Sequence, residues 1–492
     1  MDKPVMEVAI VGAGLGGLAL AAGLHSRGIQ AHVFEKSPNL IADTATAISL
    51  APNASRALDG ISVGLSAAIK SVASLTKTTK VTLCGSRNGA GDKTLVTSYG
   101  EDELYVVKWR SARSILASRV PAQYIHCSHV LLDYFLDDQS VALRFQCGGE
   151  VTIIRAKFVV GADGINSAVR RAMYPADRPR DLHLINWNAL VHNPGRFSVH
   201  DQDQIAITRS GPSLCFLVDA GEDYTLWVFR VEDRSTAKES SGGFCDESGK
   251  ARVLEEIDKL LGSSPAWEPL KIAVEATEAG QIFQRRIKDR IPLENWSDLD
   301  QRVVLMGDAA HAMHWGPGQG ARTAFEDAHQ LCELLPPALA AANPEDLKQA
   351  VMRYEELRIP RLTKFQNYAA ETTSIADFIP AWVTQLTPSD QRCRMKEFQH
   401  WAASYPLMEM RPSFKKTDSP EEMIIAGWQT MFDPPDKIDK NSGHETIHGD
   451  SKNHQEHIQN LPSRARAMES PPRSTSCPSI LDNHGQRQQS PA

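Results

Sequence analysis

Residues 8–35 of the 492-residue chain leave few folds open. A short apolar run, Val8 to Val11, leads into Gly12-Ala13-Gly14-Leu15-Gly16-Gly17; an apolar helical stretch follows, and a second apolar run from Ile29 to Phe34 ends in Glu35. Two buried strands joined in this way by a glycine turn and a helix make a parallel βαβ unit. Gly12 permits the tight turn, Gly14 lets a phosphate approach the backbone, and Gly17 lets the helix pack on the strand. The helix N-terminus then offers unpaired N–H groups and the positive end of its dipole to a pyrophosphate. Glu35 stands where an acid grips both ribose hydroxyls, and its charge repels a 2′-phosphate, so the ligand expected is FAD or NAD rather than NADP. A signal peptide or membrane helix is the competing reading of uncharged Val8 to Leu24. Against it, Met1 to Val5 carries one acid and one base rather than a basic cluster, and five glycines make poor material for such a helix.

The rest of the chain sets limits on function. With 53 basic against 60 acidic residues it offers no basic face for nucleic acid. Its eight cysteines are scattered without CxxC pairs, as expected of reduced thiols in a cytoplasmic protein. Its sixteen histidines form no HExxH or other metal constellation, so no metal is expected. Alternating segments at Val81 to Cys84, Val141 to Phe145 and Val151 to Ile154 read as strands of the nucleotide unit, and Phe158 to Val160 as a buried strand leading to Gly161-Ala162-Asp163-Gly164. From Leu182 to Val231 the pattern turns to β-branched and aromatic strands, a second, antiparallel sheet in which Phe216, Trp227 and Phe229 can roof an apolar pocket. Val253 to Leu261 has helical spacing and Trp267 to Thr277 reads as strand. Val303 to Met306 is a further buried strand, and a helix from Ala321 to Leu335 is expected to stop at Pro336-Pro337.

The fold expected is therefore α/β. A Rossmann-like nucleotide domain is split between residues 1–181 and 286–337. An antiparallel-sheet substrate domain, 182–285, is inserted in it, with C-terminal helices over 338–433. Residues 434–492 contain no aromatic side chain and are rich in Pro, Ser, Asn, His and Gln, the composition of a disordered tail with no membrane anchor.

Three motifs combine into something more specific. Gly12-x-Gly14-x-x-Gly17 with Glu35, Gly161-Ala162-Asp163-Gly164-x-x-Ser167-x-x-Arg170, and Gly307-Asp308-Ala309-Ala310-His311 occur in one order along the chain. In that order and spacing the chain resembles the FAD-dependent single-component aromatic hydroxylases, in particular the salicylate hydroxylase-like branch, over all but the tail. The resemblance implies that Asp308 hydrogen-bonds the ribityl chain of FAD and that the Asp163-Gly164 turn lies where FAD and a nicotinamide pyrophosphate approach. It further implies that Pro52-Asn53-Ala54 lies near the isoalloxazine and Arg110 near FAD, and it matches Tyr354, Arg358 and Arg361 on a late helix. The cofactor-binding set is then Gly12, Gly14, Gly17, Glu35, Ala47, Arg110, Asp163, Asp308, Gly320 and Ala321; no catalytic residue is assigned. Taken alone, Asp308 reads equally as a helix cap, and Gly316-Pro317-Gly318-Gln319-Gly320 as an ordinary loop. Together they bring bare backbone to a flat ring and point the next helix N-terminus at the charge of reduced flavin.

No second strand–GxGxxG–helix unit is present, so NADH or NADPH is expected to visit transiently. The resemblance implies that the reduced flavin reacts with O2 to a C4a-hydroperoxide that hydroxylates a phenolic or other aromatic small molecule, in a monomer or homodimer, with secondary metabolism as the setting. An epoxidase on the same fold, a flavin reductase or dehydrogenase, and a flavin protein without turnover are the alternatives; a halogenase is disfavoured by the lack of a Trp-x-Trp-x-Ile segment. The chain departs from the family pattern at several points. No arginine occurs between Glu35 and Asn53, Ala45-Thr46-Ala47 replaces Gly-Ala-Gly, Trp315 and Arg322 stand near the expected flavin face, and Asn188 replaces a substrate-binding arginine of some relatives. His314 is weighed as a phenol base against a packing role.

Overall fold

The structure is a computed structural model. It describes residues 5–41, 45–85, 91–99, 103–193, 203–235, 242–341, 343–373, 375, 377 and 388–405. The expected tail, 434–492, lies outside them, as do residues 406–433 of the expected C-terminal helices.

A seven-stranded sheet runs in the order Ile125–His126, Ala31–Phe34, Met6–Val11, Glu150–Gly161, Val141–Cys147, Val130–Leu136. The strand Val303–Leu305 joins it beside the last residues of Glu150–Gly161, with Val159 opposite Val303. Val151 to Ile154 and Phe158 to Val160 are thus halves of one 12-residue strand. Its first half pairs antiparallel with Val141–Cys147 and its second half parallel with Met6–Val11. Four parallel strands therefore end at one edge, delivering Gly12, Glu35, Ala162 and Met306 side by side. The crevice beyond the carboxyl ends of such strands is where this architecture binds ligands. Helices Leu15–Ser26 and Gly320–Ala340 cover the sheet, burying Leu18, Leu20, Leu24, Phe325, Leu331 and Leu335.

The second sheet has eight strands, in the order Gly243–Phe244, Phe283–Asp289, Arg180–His192, Tyr224–Glu232, Ser213–Asp219, Gln204–Ser210, Thr78–Leu83, Lys93–Ser98. Its pairs are antiparallel except Gln204–Ser210 with Thr78–Leu83, which is parallel. This corrects the placement of Val81 to Cys84 in the nucleotide unit: alternation reports half-burial, not the partner, and the partner lies more than 120 residues away. A small third sheet joins Ala47–Leu50, Leu104–Lys108 and Ser74–Thr76.

Two further expectations change. Residues 267–277 form no strand: Ser264 caps a short 3-10 turn, Pro265–Trp267, and Pro269 opens the helix Glu268–Glu275. A run this apolar is compatible with either element when it is fully buried. The helix that starts at Gly320 does not stop at Pro336-Pro337 but continues to Ala340; proline forfeits hydrogen bonds there, and the packing of Leu335 and Ala338 holds the last turn in place. The helices Pro344–Glu371 and Pro388–Ala403 follow. Among the described residues no helix is long and apolar enough to cross a membrane, and no three His, Cys, Asp or Glu side chains are grouped to hold a metal.

Candidate active site

The nucleotide end is built on two glycines that admit nothing larger. Gly12 sits at φ +107°, and a Cβ there would stand 2.5 Å from the Ala162 carbonyl oxygen; a Cβ on Gly17 would stand 2.1 Å from that of Gly12. Gly14 differs, because a Cβ added to it meets no protein atom within 4 Å. Strand, turn and helix are thus locked together while the Gly14 backbone faces open space. Glu35 closes the end of the second strand. Its two oxygens accept the Ala13 and Ser37 N–H groups, both at 2.9 Å, and Arg113 Nη2 lies 3.7 Å away. Burial opposes ionisation of Glu35, but the Ser37 and Ala13 N–H groups and the Arg113 charge outweigh it and hold its pKa below the usual value. An ionised carboxylate has lone pairs left for ribose hydroxyls.

Arg113 escaped the sequence reading. The expected arginine, Arg110, is exposed on the helix Trp109–Ala117, whereas Arg113 is buried with Ala112 and Leu116 and donates from Nε to the Ala13 carbonyl at 2.8 Å. The signal available was a cation at a helical position flanked by apolar residues.

At the other end, Gly307 takes φ +57° and starts the single turn Asp308–His311. That turn is held from behind. The buried Asp327 carboxylate accepts the Gly307 N–H at 2.9 Å, His311 Nε2 at 2.6 Å and Arg358 Nε at 2.7 Å. Its neighbour Glu326 takes Arg358, Arg361 and the Asn53 amide, each within 2.8 Å. Arg358 and Arg361 thus anchor the turn from behind, and Asn53 is tied to Glu326 and Gln319. The acid pair Glu326-Asp327 was also missed; two adjacent carboxylates in an apolar helical run were the clue. Held this way, Asp308 opens onto the cleft, and among the described residues its carboxylate has no hydrogen-bond partner. The protein packed around it raises its pKa, opposed by the charges of His311 and Arg285.

Gly320 and Ala321 form the first turn of the long helix, and a Cβ on Gly320 would lie 3.7 Å from Asp308 Oδ1. Asp308 and the helix N-terminus are therefore neighbours. Ala47 heads its short strand, half-buried, on the same side, where Ser49 receives Arg322 and Ala45 receives Asn188. Asp163 spends one oxygen capping the helix Ala168–Met173 through the Ala168 and Val169 N–H groups and leaves Oδ1 without a partner. The structure thus gathers Gly12, Gly14, Gly17, Glu35 and Asp163 at one edge, and Asp308, Gly320 and Ala321 at the adjoining cleft.

The eight-stranded sheet turns one face to this cleft. Trp187, Trp227 and Phe229 point the other way, into a core with Val253, Ile257 and Trp267, so Trp227 and Phe229 do not roof the pocket as expected. The cleft face carries Asn186, Asn188, Val228, Arg230 and Phe216, and Trp315 stacks edge-on against Phe216 at 5.6 Å. His314 is buried, and burial with the charges of Arg230 and Arg209 pulls its pKa well down, so it stays neutral.

A family model described as FAD binding domain matches residues 5–365. The chain belongs to this family. The flavoprotein is 29% identical over 404 residues to 3-amino-4-hydroxybenzoate 2-monooxygenase of Streptomyces cremeus, covering 80% of this chain and 93% of the relative. It is 26% identical over 377 residues to aurachin C monooxygenase/isomerase of Stigmatella aurantiaca, covering 74% and 88%. Its fold matches Klebsiella pneumoniae HpxO complexed with FAD and uric acid at a TM-score of 0.62 and 19% identity, over 87% of this chain and 97% of that one. The flavoprotein is an FAD-dependent monooxygenase. The residues present fit the cofactor: bare backbone at Gly14, an ionised acid at the strand end, and a partnerless carboxylate beside a helix N-terminus.

Proposed function

We propose that this monooxygenase hydroxylates a phenolic or otherwise aromatic small molecule, with NADH or NADPH as reductant and O2 as oxidant, in the biosynthesis of a secondary metabolite. The observation that carries the reading is the cleft itself: Asp308 and the N-terminus of Gly320–Ala340 on one wall, Phe216 and Trp315 on the sheet side. Glu35 and the glycine turn hold the adenosine half of FAD, Arg113 braces them, and Asp308 takes ribityl hydroxyls. When bound, FAD accepts hydride and activates oxygen. The N-terminus of Gly320–Ala340 stabilises negative charge placed against it, and Phe216, Val228 and Trp315 keep water from the reacting ring. The cytoplasm, where reduced nicotinamides and thiols are maintained, suits six described cysteines that are all free.

Oxygen uptake and peroxide release, measured with NADH or NADPH and a panel of phenols, test this. Substrate-stimulated uptake without stoichiometric peroxide is the expected result. Equal consumption of reductant under anaerobic turnover refutes it.

A further inference from the structure

The cleft face of the eight-stranded sheet holds positive charge that no ion pair answers among the described residues. Asn186 pairs in register with Arg230 on one side and Arg285 on the other, so three adjacent strands set these side chains in a row. Arg230 is 1% exposed. It donates from Nε to the Pro212 carbonyl, its Nη1 lies 2.6 Å from His314 Nε2, and its Nη2 has no partner. Arg285 Nε and Trp315 Nε1 are likewise buried donors without an acceptor, and the Arg230 guanidinium lies 5.4 Å from the Trp315 ring. Among the described residues neither Arg230 nor Arg285 has a carboxylate within ion-pair distance. The charge nearest in effect to Arg285 is Asp308, on the flavin side.

His314 sharpens the imbalance. Its Nε2 faces Arg230 and its Nδ1 accepts the Gly316 N–H at 3.1 Å, so both ring nitrogens look at donors. A neutral imidazole accepts at only one nitrogen, so one of the two contacts sets hydrogen against hydrogen. Buried donors without acceptors, and a buried guanidinium without a counter-charge, are costly. Burial and the neighbouring Arg209 also depress the Arg230 pKa, a second sign of a cation lacking its anion. The missing partner is an acceptor with negative charge, close to Trp315 and within reach of Arg230 Nη2.

We propose that the aromatic substrate carries a carboxylate, which binds Arg230 at this sheet face with Arg285 and the Trp315 N–H beside it. The anion draws Arg230 off His314 Nε2, and His314, neutral with its proton on Nε2, turns from opposing donor to further donor. Asn186 gives its amide nitrogen to Asn188 and leaves Oδ1 open for a hydroxyl or amino hydrogen of the same ligand. Asn188 itself is turned to the Ala45 carbonyl, so the cation comes from the neighbouring strand at Arg230.

The inference rests on the aromatic hydroxylation reading, and one experiment separates the two. The FAD-loaded protein is titrated with 2-hydroxybenzoate and with its neutral amide, following the flavin absorbance shift, and oxygen uptake is recorded with the same compounds and with phenol. The acid should bind about tenfold to a hundredfold more tightly than the amide, the range of a charge-assisted hydrogen bond. Arg230→Met should erase that preference by weakening the acid far more than the amide, and Arg230→Lys should restore part of it; bound flavin reports that each variant has folded. An amide that binds as tightly as the acid, or an acid preference that survives Arg230→Met, overturns the carboxylate site. Oxygen uptake driven by phenol alone, with no acid binding, does so while leaving hydroxylation standing. Acid binding without uptake for any aromatic supports the anion site and refutes hydroxylation.

Discussion

Asp327 offers the most direct test of how the flavin end is held. Replacing it with asparagine keeps the shape but removes the charge. One oxygen must then serve Gly307, His311 and Arg358, and the new NH2 group faces a donor. The carboxyl titrates at about 2 in the folded chain against an ordinary 3.8, so its charge contributes about 2 kcal/mol at neutral pH. Breaking a buried pair from one side costs about 3–5 kcal/mol, but Arg358 keeps Glu326 at 2.7 Å, so the lower figure is the better guide. Asp327→Asn should therefore lower the unfolding free energy of the apoprotein by about 2–3 kcal/mol, read from urea unfolding at pH 7. The sign with pH follows from the depressed value. The stabilisation is complete above the unfolded value of 3.8 and is lost as pH falls toward 2, so the native chain should lose in that window a stability the variant never had. A loss under about 1 kcal/mol, or identical acid limbs for both proteins, refutes the anchoring role.

Other perturbations separate cofactor contacts from scaffold. Asp308→Ala should weaken FAD retention by about tenfold or more while leaving apoprotein stability unchanged, since Asp308 has no hydrogen-bond partner among the described residues; a normally yellow, FAD-saturated variant would sink the assignment. Gly17→Ala should impair folding, because its Cβ meets the Gly12 carbonyl, whereas Gly14→Ala should fold as the native chain does and lose FAD; circular dichroism with bound-flavin absorbance tells them apart, and normal FAD content in Gly14→Ala contradicts the cradle. Arg113→Ala should cost about 1.5–3 kcal/mol in urea unfolding, against no more than about 0.5 for exposed Arg110→Ala, and equal effects would remove Arg113 from the site.

What was legible in the sequence was what is local. The 8–35 unit closes on itself within a few turns of chain, and its glycines and acid carry their reasons in their spacing. Val81 to Cys84 was legible as a strand but not as a member of the second sheet, because pairing with Gln204–Ser210 leaves no mark on alternation. The same blindness put Trp227 and Phe229 over the cleft. Their period-2 pattern says that they share a face with each other, and only the register that sets Phe229 opposite Trp187, with the helices packed there, reveals which face it is. Arg113 and the Glu326-Asp327 pair were hidden for another reason: a buried charge reads as a surface charge until its counter-ion, here far away in sequence, is brought beside it. Arg230 belongs to the same class, with the difference that no counter-ion stands beside it among the described residues.

The strand Val303–Leu305, inserted beside one completed about 140 residues earlier, also fixes when the cofactor can be captured during synthesis. A nascent chain that has emerged as far as Arg290 owns the glycine turn and Glu35 but lacks Asp308, the acid proposed for the ribityl chain. Even after Asp308 appears, its turn stays untethered until Arg358 arrives to balance Asp327. FAD loading is thus a late event that waits on about the first three-quarters of the polypeptide. A chain interrupted between Leu305 and the Pro344–Glu371 helix should accumulate as apoprotein, with both sheets made and one wall of the cofactor site unsecured.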